Sequence, residues 1–176
     1  PSRWISRSRA VITKERAAIW DTASGTRLSV LTGHTAGVNA IAFSPNGQQI
    51  ATGSDDKSAR LWDAASGQQI ATLPHGGWVN SVAFSGDGKR LLTGCGDYSA
   101  RIWDLTTSPP NPLLVLKGHK GNIREAAFSR DERYVATASD DGTARIWDVQ
   151  SGQTLQVFSG HQSRVRSVSF SPDGKI

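Results

Sequence analysis

Four histidines, His34, His75, His119 and His161, are the residues of this chain best suited to move a proton or hold a metal ion. Three of them precede a tryptophan by the same 28 residues, pairing His34 with Trp62, His75 with Trp103 and His119 with Trp147. A metal site built on them would need a second ligand nearby, and none of the four has one at i+2 to i+5. The one cysteine, Cys95, stands where other copies of the same phrase carry Ser54 and Ser139, so it reads as a small buried residue and not a reactive thiol. No phosphate-cradling glycine loop is present. No metal and no cofactor are expected.

A constant spacing needs a constant scaffold. The dipeptide Trp-Asp recurs at Trp20, Trp62, Trp103 and Trp147, with gaps of 42, 41 and 44 residues, which marks an array of one small unit. In the best-formed copy, 38–43, 49–52, 58–62 and 68–73 read as short strands, separated by turns at Ser44-Pro45-Asn46-Gly47, Ser54-Asp55-Asp56-Lys57 and Ala65-Ser66-Gly67. Val38, Ala40 and Ala42 are placed on one side of the first strand, Ile41 and Phe43 on the other. A small antiparallel sheet that is apolar on both faces must be sandwiched between others. Radial stacking achieves this with short edges, so the fold expected is all-β, a β-propeller of four-stranded antiparallel blades.

The units expected are 1–33, a degenerate or partial first copy; 34–74; 75–118, with a proline-rich loop at Ser108-Pro109-Pro110-Asn111-Pro112; 119–160; and 161–176, the first strand (165–170) of an incomplete copy. The chain starts at Pro1 and stops within Ser171-Pro172-Asp173-Gly174-Lys175, so it is read as part of a longer array, although four units closing on themselves are conceivable. Open end units would favour self-association. The net charge is +5, of which +4 falls in residues 1–27, where Arg3, Arg7, Arg9, Lys14, Arg16 and Arg27 face Glu15 and Asp21. A basic segment can attract nucleic acid, but charge runs are more often simply solvated. A lone cysteine fits a reducing, cytoplasmic location, and no apolar run is long enough to span a membrane.

The phrases Gly33-His34, Ser44-Pro45-Asn46-Gly47, Ala51-Thr52-Gly53-Ser54-Asp55-Asp56 and Leu61-Trp62-Asp63 resemble a unit of the WD-repeat β-propeller family, and the resemblance recurs along the chain. The stretches from Trp62 to Gln68 and from Trp147 to Gln153 also resemble bacterial multi-repeat arrays. The family resemblance implies a seven- or eight-bladed ring. It also implies that each blade is tied by a hydrogen-bonded tetrad: His34, Thr52, Asp56 and Trp62; His75, Thr93, Asp97 and Trp103; His119, Thr137, Asp141 and Trp147. In the first copy the matching positions are Ala10 and Lys14, and the tetrad fails. His75 follows Pro74 where the other copies have glycine. Histidine, hydroxyl and carboxylate are also the parts of a hydrolase triad. Three equivalent copies argue for scaffold instead, because catalysis needs one special site, and no enzymatic activity is expected.

Function is then sought in what varies between copies. By the resemblance, partners dock where the histidine loops and aspartate turns emerge, which selects Gly37, Asn39 and Asp55; Trp78, Asn80 and Gly96; Asn122, Arg124 and Asp140; and Arg164 and Arg166. Trp78, flanked by Gly76 and Gly77, is either an anchor for a partner or a lid folded over the channel mouth. The function expected is a non-catalytic scaffold for protein–protein interaction within a larger signalling or assembly protein. Its partner would be of acidic and apolar character, with nucleic acid or an acidic tail bound by the arginines as the alternative.

Overall fold

The structure, a computed structural model, describes residues 8–13 and 16–171, which form fifteen β-strands and no helix. Arg3, Arg7 and Lys14, and the phrase from Pro172 onward, lie outside the described residues. The strands fall into four antiparallel meanders taken in chain order. The first has three strands, β1 (Ser8–Thr13), β2 (Arg16–Asp21) and β3 (Arg27–Leu31). The second has β4 (Val38–Phe43), β5 (Gln49–Ser54), β6 (Ser58–Asp63) and β7 (Gln69–Pro74). In the third are β8 (Val79–Phe84), β9 (Arg90–Cys95), β10 (Ser99–Asp104) and β11 (Asn111–Lys117), and in the fourth β12 (Ile123–Phe128), β13 (Tyr134–Ser139), β14 (Ala144–Asp148) and β15 (Thr154–Phe158). These are the short all-β blades of a propeller, and among the described residues no strand of the fourth sheet pairs with the first to close a ring.

The sheets stack because alternate residues send apolar side chains to both faces. Leu61 and Leu73 leave the second sheet toward Val79, Val82, Leu91 and Trp103 of the third. Leu92, Ile102 and Leu116 leave the third toward Ile123, Val135 and Trp147 of the fourth. Ile19 and Leu31 of the first meet Val38, Ile50 and Trp62 of the second. Each of these three tryptophans is thus a wedge driven into the sheet before it, and full burial of such a side chain contributes about 1.5–3 kcal/mol. Val38 departs from the alternation expected of it: it packs with Ile41 and Phe43, not with Ala40 and Ala42. A β-bulge is the cause. The β4–β5 register jumps between Val38 and Ala40, and equivalent jumps lie between Val79 and Ser81 and between Ile123 and Glu125. The extra residue of each bulge, Asn39, Asn80 or Arg124, is turned out of the pleat.

Three further differences from expectation have local causes. Residues 165–170 form no ladder: the Val165 amide donates to the Ser139 carbonyl at 2.9 Å and the Val168 amide to the Glu125 carboxylate at 3.0 Å. A run becomes a strand only with a paired backbone, and this one meets a strand end and a side chain instead. Pro112, expected in a loop, lies in β11 opposite Trp103, where the register shifts and an edge strand tolerates the missing N–H. In the first sheet Arg9 pairs with Trp20 and Val11 with Ala18, whereas Ile50 pairs with Trp62 and Thr52 with Arg60. Val11, and not Ala10, therefore occupies the place of the threonine.

Candidate functional site

At one end of each sheet the chain turns immediately after its Trp-Asp. Asp63 Oδ1 accepts the Ser66 amide at 2.8 Å and its hydroxyl at 2.7 Å; Asp21, Asp104 and Asp148 close their turns in the same way with Ser24, Thr106 and Ser151. Hydrogen bonds from the Ser66, Thr106 and Ser151 hydroxyls hold the carboxyls of Asp63, Asp104 and Asp148 below the usual range. The proline-rich loop belongs to this end. The amide of Leu105, just before it, donates to Lys89 in the β8–β9 turn.

The opposite end carries the histidine loops. In the second sheet the Trp62 indole donates to Thr52 Oγ1 at 2.8 Å, Thr52 lies 2.7 Å from His34 Nε2, and His34 Nδ1 lies 2.7 Å from Asp56. A carboxylate can only accept, so Nδ1 carries the proton; Nε2 then accepts the hydroxyl proton, and the hydroxyl oxygen receives the indole N–H. The fourth sheet repeats the arrangement with Trp147, Thr137, His119 and Asp141, each link at 2.8 Å. Burial pushes Asp56 upward, but hydrogen bonds from Ser58, His34 and the Thr35 amide outweigh it and hold the group at about 2. Burial lowers His34 and His119 despite their carboxylate partners.

The third sheet differs. Trp103 and His75 still meet Thr93, at 3.2 and 2.9 Å, but His75 Nδ1 faces the Leu73 carbonyl at 2.9 Å. Asp97 is taken instead by Arg101 at 2.6 Å, with the Ser99 hydroxyl and the Gly76 amide. Burial depresses His75 to about 4, the Arg101 charge adds to it, and the bond to Leu73 only partly offsets it. The sequence signal for Arg101 is its recurrence two residues before tryptophan, as Arg60, Arg101 and Arg145, which sequence reasoning passed over. Gly33 and Gly118 precede the other two histidines because an added Cβ would stand 3.2 Å from the ring of Trp62 or Trp147.

Thr–His–Asp order is geometrically that of a triad, but Thr52, Thr93 and Thr137 are all 0% exposed and each already receives an indole N–H. A substrate carbonyl cannot reach them. Cys95 is likewise sealed, its thiol donating to the Gly77 carbonyl at 3.2 Å as Ser54 does to Ala36, and burial pushes its pKa up. Among the described residues no group of histidine, cysteine and carboxylates could hold a metal ion.

The bulge residues converge beside the histidine loops. Asn39, Asn80, Arg124, Asp140, Arg164 and Arg166 line one hollow of about 510 Å³. Asn39 bonds Asp55 at 2.7 Å and reaches the Val79 carbonyl of the next sheet at 3.3 Å, and Asn80 reaches the Ile123 carbonyl at 2.9 Å, so both also tie neighbouring sheets. Arg124 grips Asp140 through two bonds of 2.8 and 2.6 Å, and Asn122 adds a third at 3.2 Å. The guanidinium holds Asp140 below the usual range. Trp78 is outside the hollow and points outward, 51% exposed, and Tyr98, which the sequence reading did not select, is 49% exposed on the adjoining turn. Gly96, on the same turn as Tyr98, donates its amide to the Trp78 carbonyl at 2.7 Å. Gly37 and Gly96 add no side chain to the surface.

The family model of the WD domain, G-beta repeat, matches residues 25–63, 67–104, 110–148 and 152–176. Its first three matches begin near an outer strand and end with the Trp-Asp of the following sheet, one strand out of phase with the sheets themselves. The chain is 47% identical over 49 residues to WD repeat-containing protein 86 of Homo sapiens, covering 28% of this chain and 13% of that protein. It is 40% identical over 62 residues to the guanine nucleotide-binding protein subunit beta of Arabidopsis thaliana, covering 34% and 16%. It is 39% identical over 57 residues to eukaryotic translation initiation factor 3 subunit I of Danio rerio, covering 32% and 18%. The chain thus matches less than one fifth of the length of each of these relatives.

Proposed function

The chain belongs to the WD-repeat family, and from that premise we propose that it is a non-catalytic scaffold which binds a protein partner across its histidine-loop face. Trp78 carries this reading. It is a large aromatic held half in water, at a position where the second sheet has Gly37, beside a hollow with three arginines. Tryptophan and arginine dominate the energetics of protein interfaces, and their combination fits a partner with acidic and apolar character. The sealed threonines support a non-catalytic reading, and the hydrogen-bond networks around them we assign to holding the sheets. A second reading, nucleic acid on the arginines, rests on the same hollow. It differs in salt response, because phosphate contacts weaken log-linearly with salt.

Capture from lysate by the wild type, compared with Trp78→Ala and with a Pro109→Ala/Pro110→Ala variant, tests the placement. Truncating a true anchor should cost about 2 kcal/mol or more of affinity with the melting temperature nearly unchanged. The proline-loop variant should capture as the wild type does. Equal loss in both, or loss only with the proline loop, defeats the placement.

A further inference from the structure

We propose that Arg164 and Arg166 are the receiving charges of this surface, and that they take an extended partner segment carrying carboxylates at alternate positions, while Arg124 serves as fixed frame. The proposal rests on the docking face assigned above and names what that face recognises.

The three arginines of the hollow are not equivalent. Arg124 is engaged fork to fork by Asp140, so its charge is balanced in place. Arg164 stands 3.9 Å from the same carboxylate, beyond hydrogen-bond reach, with its side chain 61% exposed. Arg166 is exposed and has no ion pair among the described residues. Asn39 and Asn80 line the hollow without charge. Three cations and one carboxylate leave it at net +2, which two carboxylates would balance.

Spacing then selects the ligand. Arg164 and Arg166 are two residues apart and line one hollow, as alternate side chains of an extended chain do at about 7 Å separation. Carboxylates at alternate positions of an extended partner have the same repeat, whereas consecutive ones point to opposite sides. Trp78 belongs to the same face: Gly96 sits against the Trp78 backbone and Asn122, and Asn122 bonds Asp140. A nucleic-acid strand suits this surface less well. It carries a charge at every nucleotide and would have to cross Asp140, where a peptide can place a neutral residue.

Fluorescence anisotropy of the full chain with a labelled heptapeptide, Leu-Ser-Glu-Ser-Glu-Ser-Leu, and with its glutamine counterpart tests this. The glutamate peptide should bind and the glutamine peptide should not. Arg164→Gln and Arg166→Gln should each weaken binding about tenfold. Asp140→Asn should tighten it, because a repelling charge is removed and Arg124 is released. Melting curves of each variant separate these effects from unfolding. Absence of binding by the glutamate peptide, equal binding of the two peptides, an ineffective Arg166→Gln, or weaker binding in Asp140→Asn overturns the proposal. Displacement of the peptide by a short single-stranded oligonucleotide at equal concentration also overturns it and assigns the surface to nucleic acid. If lysate capture still depends on Trp78 when the peptide arm fails, the docking face stands and only the alternating-carboxylate rule falls.

Discussion

Three buried threonine hydroxyls each take an indole proton and hand their own to a histidine, and neither bond can be replaced by water at 0% exposure. Thr52→Val and Thr137→Val keep the volume and strand both partners, so each should lower stability by about 1–3 kcal/mol in urea titrations. Activity of any kind that vanished in a still-folded variant would instead argue for chemistry at the hydroxyl. The histidines make stability depend on acid. Below 6.5 the unfolded chain gains a proton that folded His75 refuses until about 4. The contribution is therefore fully present above 6.5 and lost as pH falls through that window, and Asp56, lowered from 3.8 to about 2, extends the loss in the same direction. His75→Asn should reduce the slope of the upper part of the stability–pH curve, measured as urea midpoints, while the parts due to His34, His119 and Asp56 remain. The His–Trp spacing was legible in the sequence because every turn between the two keeps its length. The exchange of partners at Asp97 was not, because Arg101 has nearly the same neighbours in sequence as Arg60 and Arg145, while His75, which follows Pro74, turns its Nδ1 to the Leu73 carbonyl.

Among the elements, the bulge at the head of β4, β8 and β12 decides what the surface is. A period-two pattern sends Asn39, Asn80 and Arg124 to a packed face of their sheets; the inserted residue turns them into the hollow instead. Sequence found these positions only through the family resemblance, and it missed that two of them also tie neighbouring sheets, since a hydrogen bond to a carbonyl about forty residues away has no local signature. Tyr98 was missed for a different reason. It occupies a positive-φ turn position, φ 70°, which Lys57 and Gly142 fill in the other sheets, so its conformation is required by the turn while its ring is free to project. The loop that presents Trp78 lies flat on the Asp97 turn. A Cβ at Gly77 would stand 2.7 Å from the Asp97 amide nitrogen and 2.8 Å from a Gly96 carbon, both backbone, whereas one at Gly86 meets only the end of the Glu132 side chain at 2.9 Å. Gly77→Ala should therefore cost about 1–3 kcal/mol and Gly86→Ala far less, read by chemical denaturation. Equal costs would mean that the Trp78 loop can lift off its turn.

On the scale of the molecule, stability comes from contacts between successive sheets, because each sheet has two apolar faces and no core of its own. Leu116, 0% exposed between the third and fourth sheets, should lose about 2–5 kcal/mol on truncation to alanine. Leu155 in β15, 53% exposed, should change stability by no more than about 0.5 kcal/mol, and comparing the two melting curves checks the assignment of the core. The stacking was predictable from apolar residues on both faces, and the loss of a ladder at 165–170 was not, since composition alone cannot say whether a partner strand is there. The one-strand offset between the family repeat and the sheets has a consequence for how such an array extends. A tandem copy of one period, of 41 to 44 residues here, inserts an outer strand for the sheet before it and three strands for a sheet of its own. A copy with the bounds of the matched repeat therefore shares a sheet with its neighbour, and its ends do not coincide with a seam between sheets.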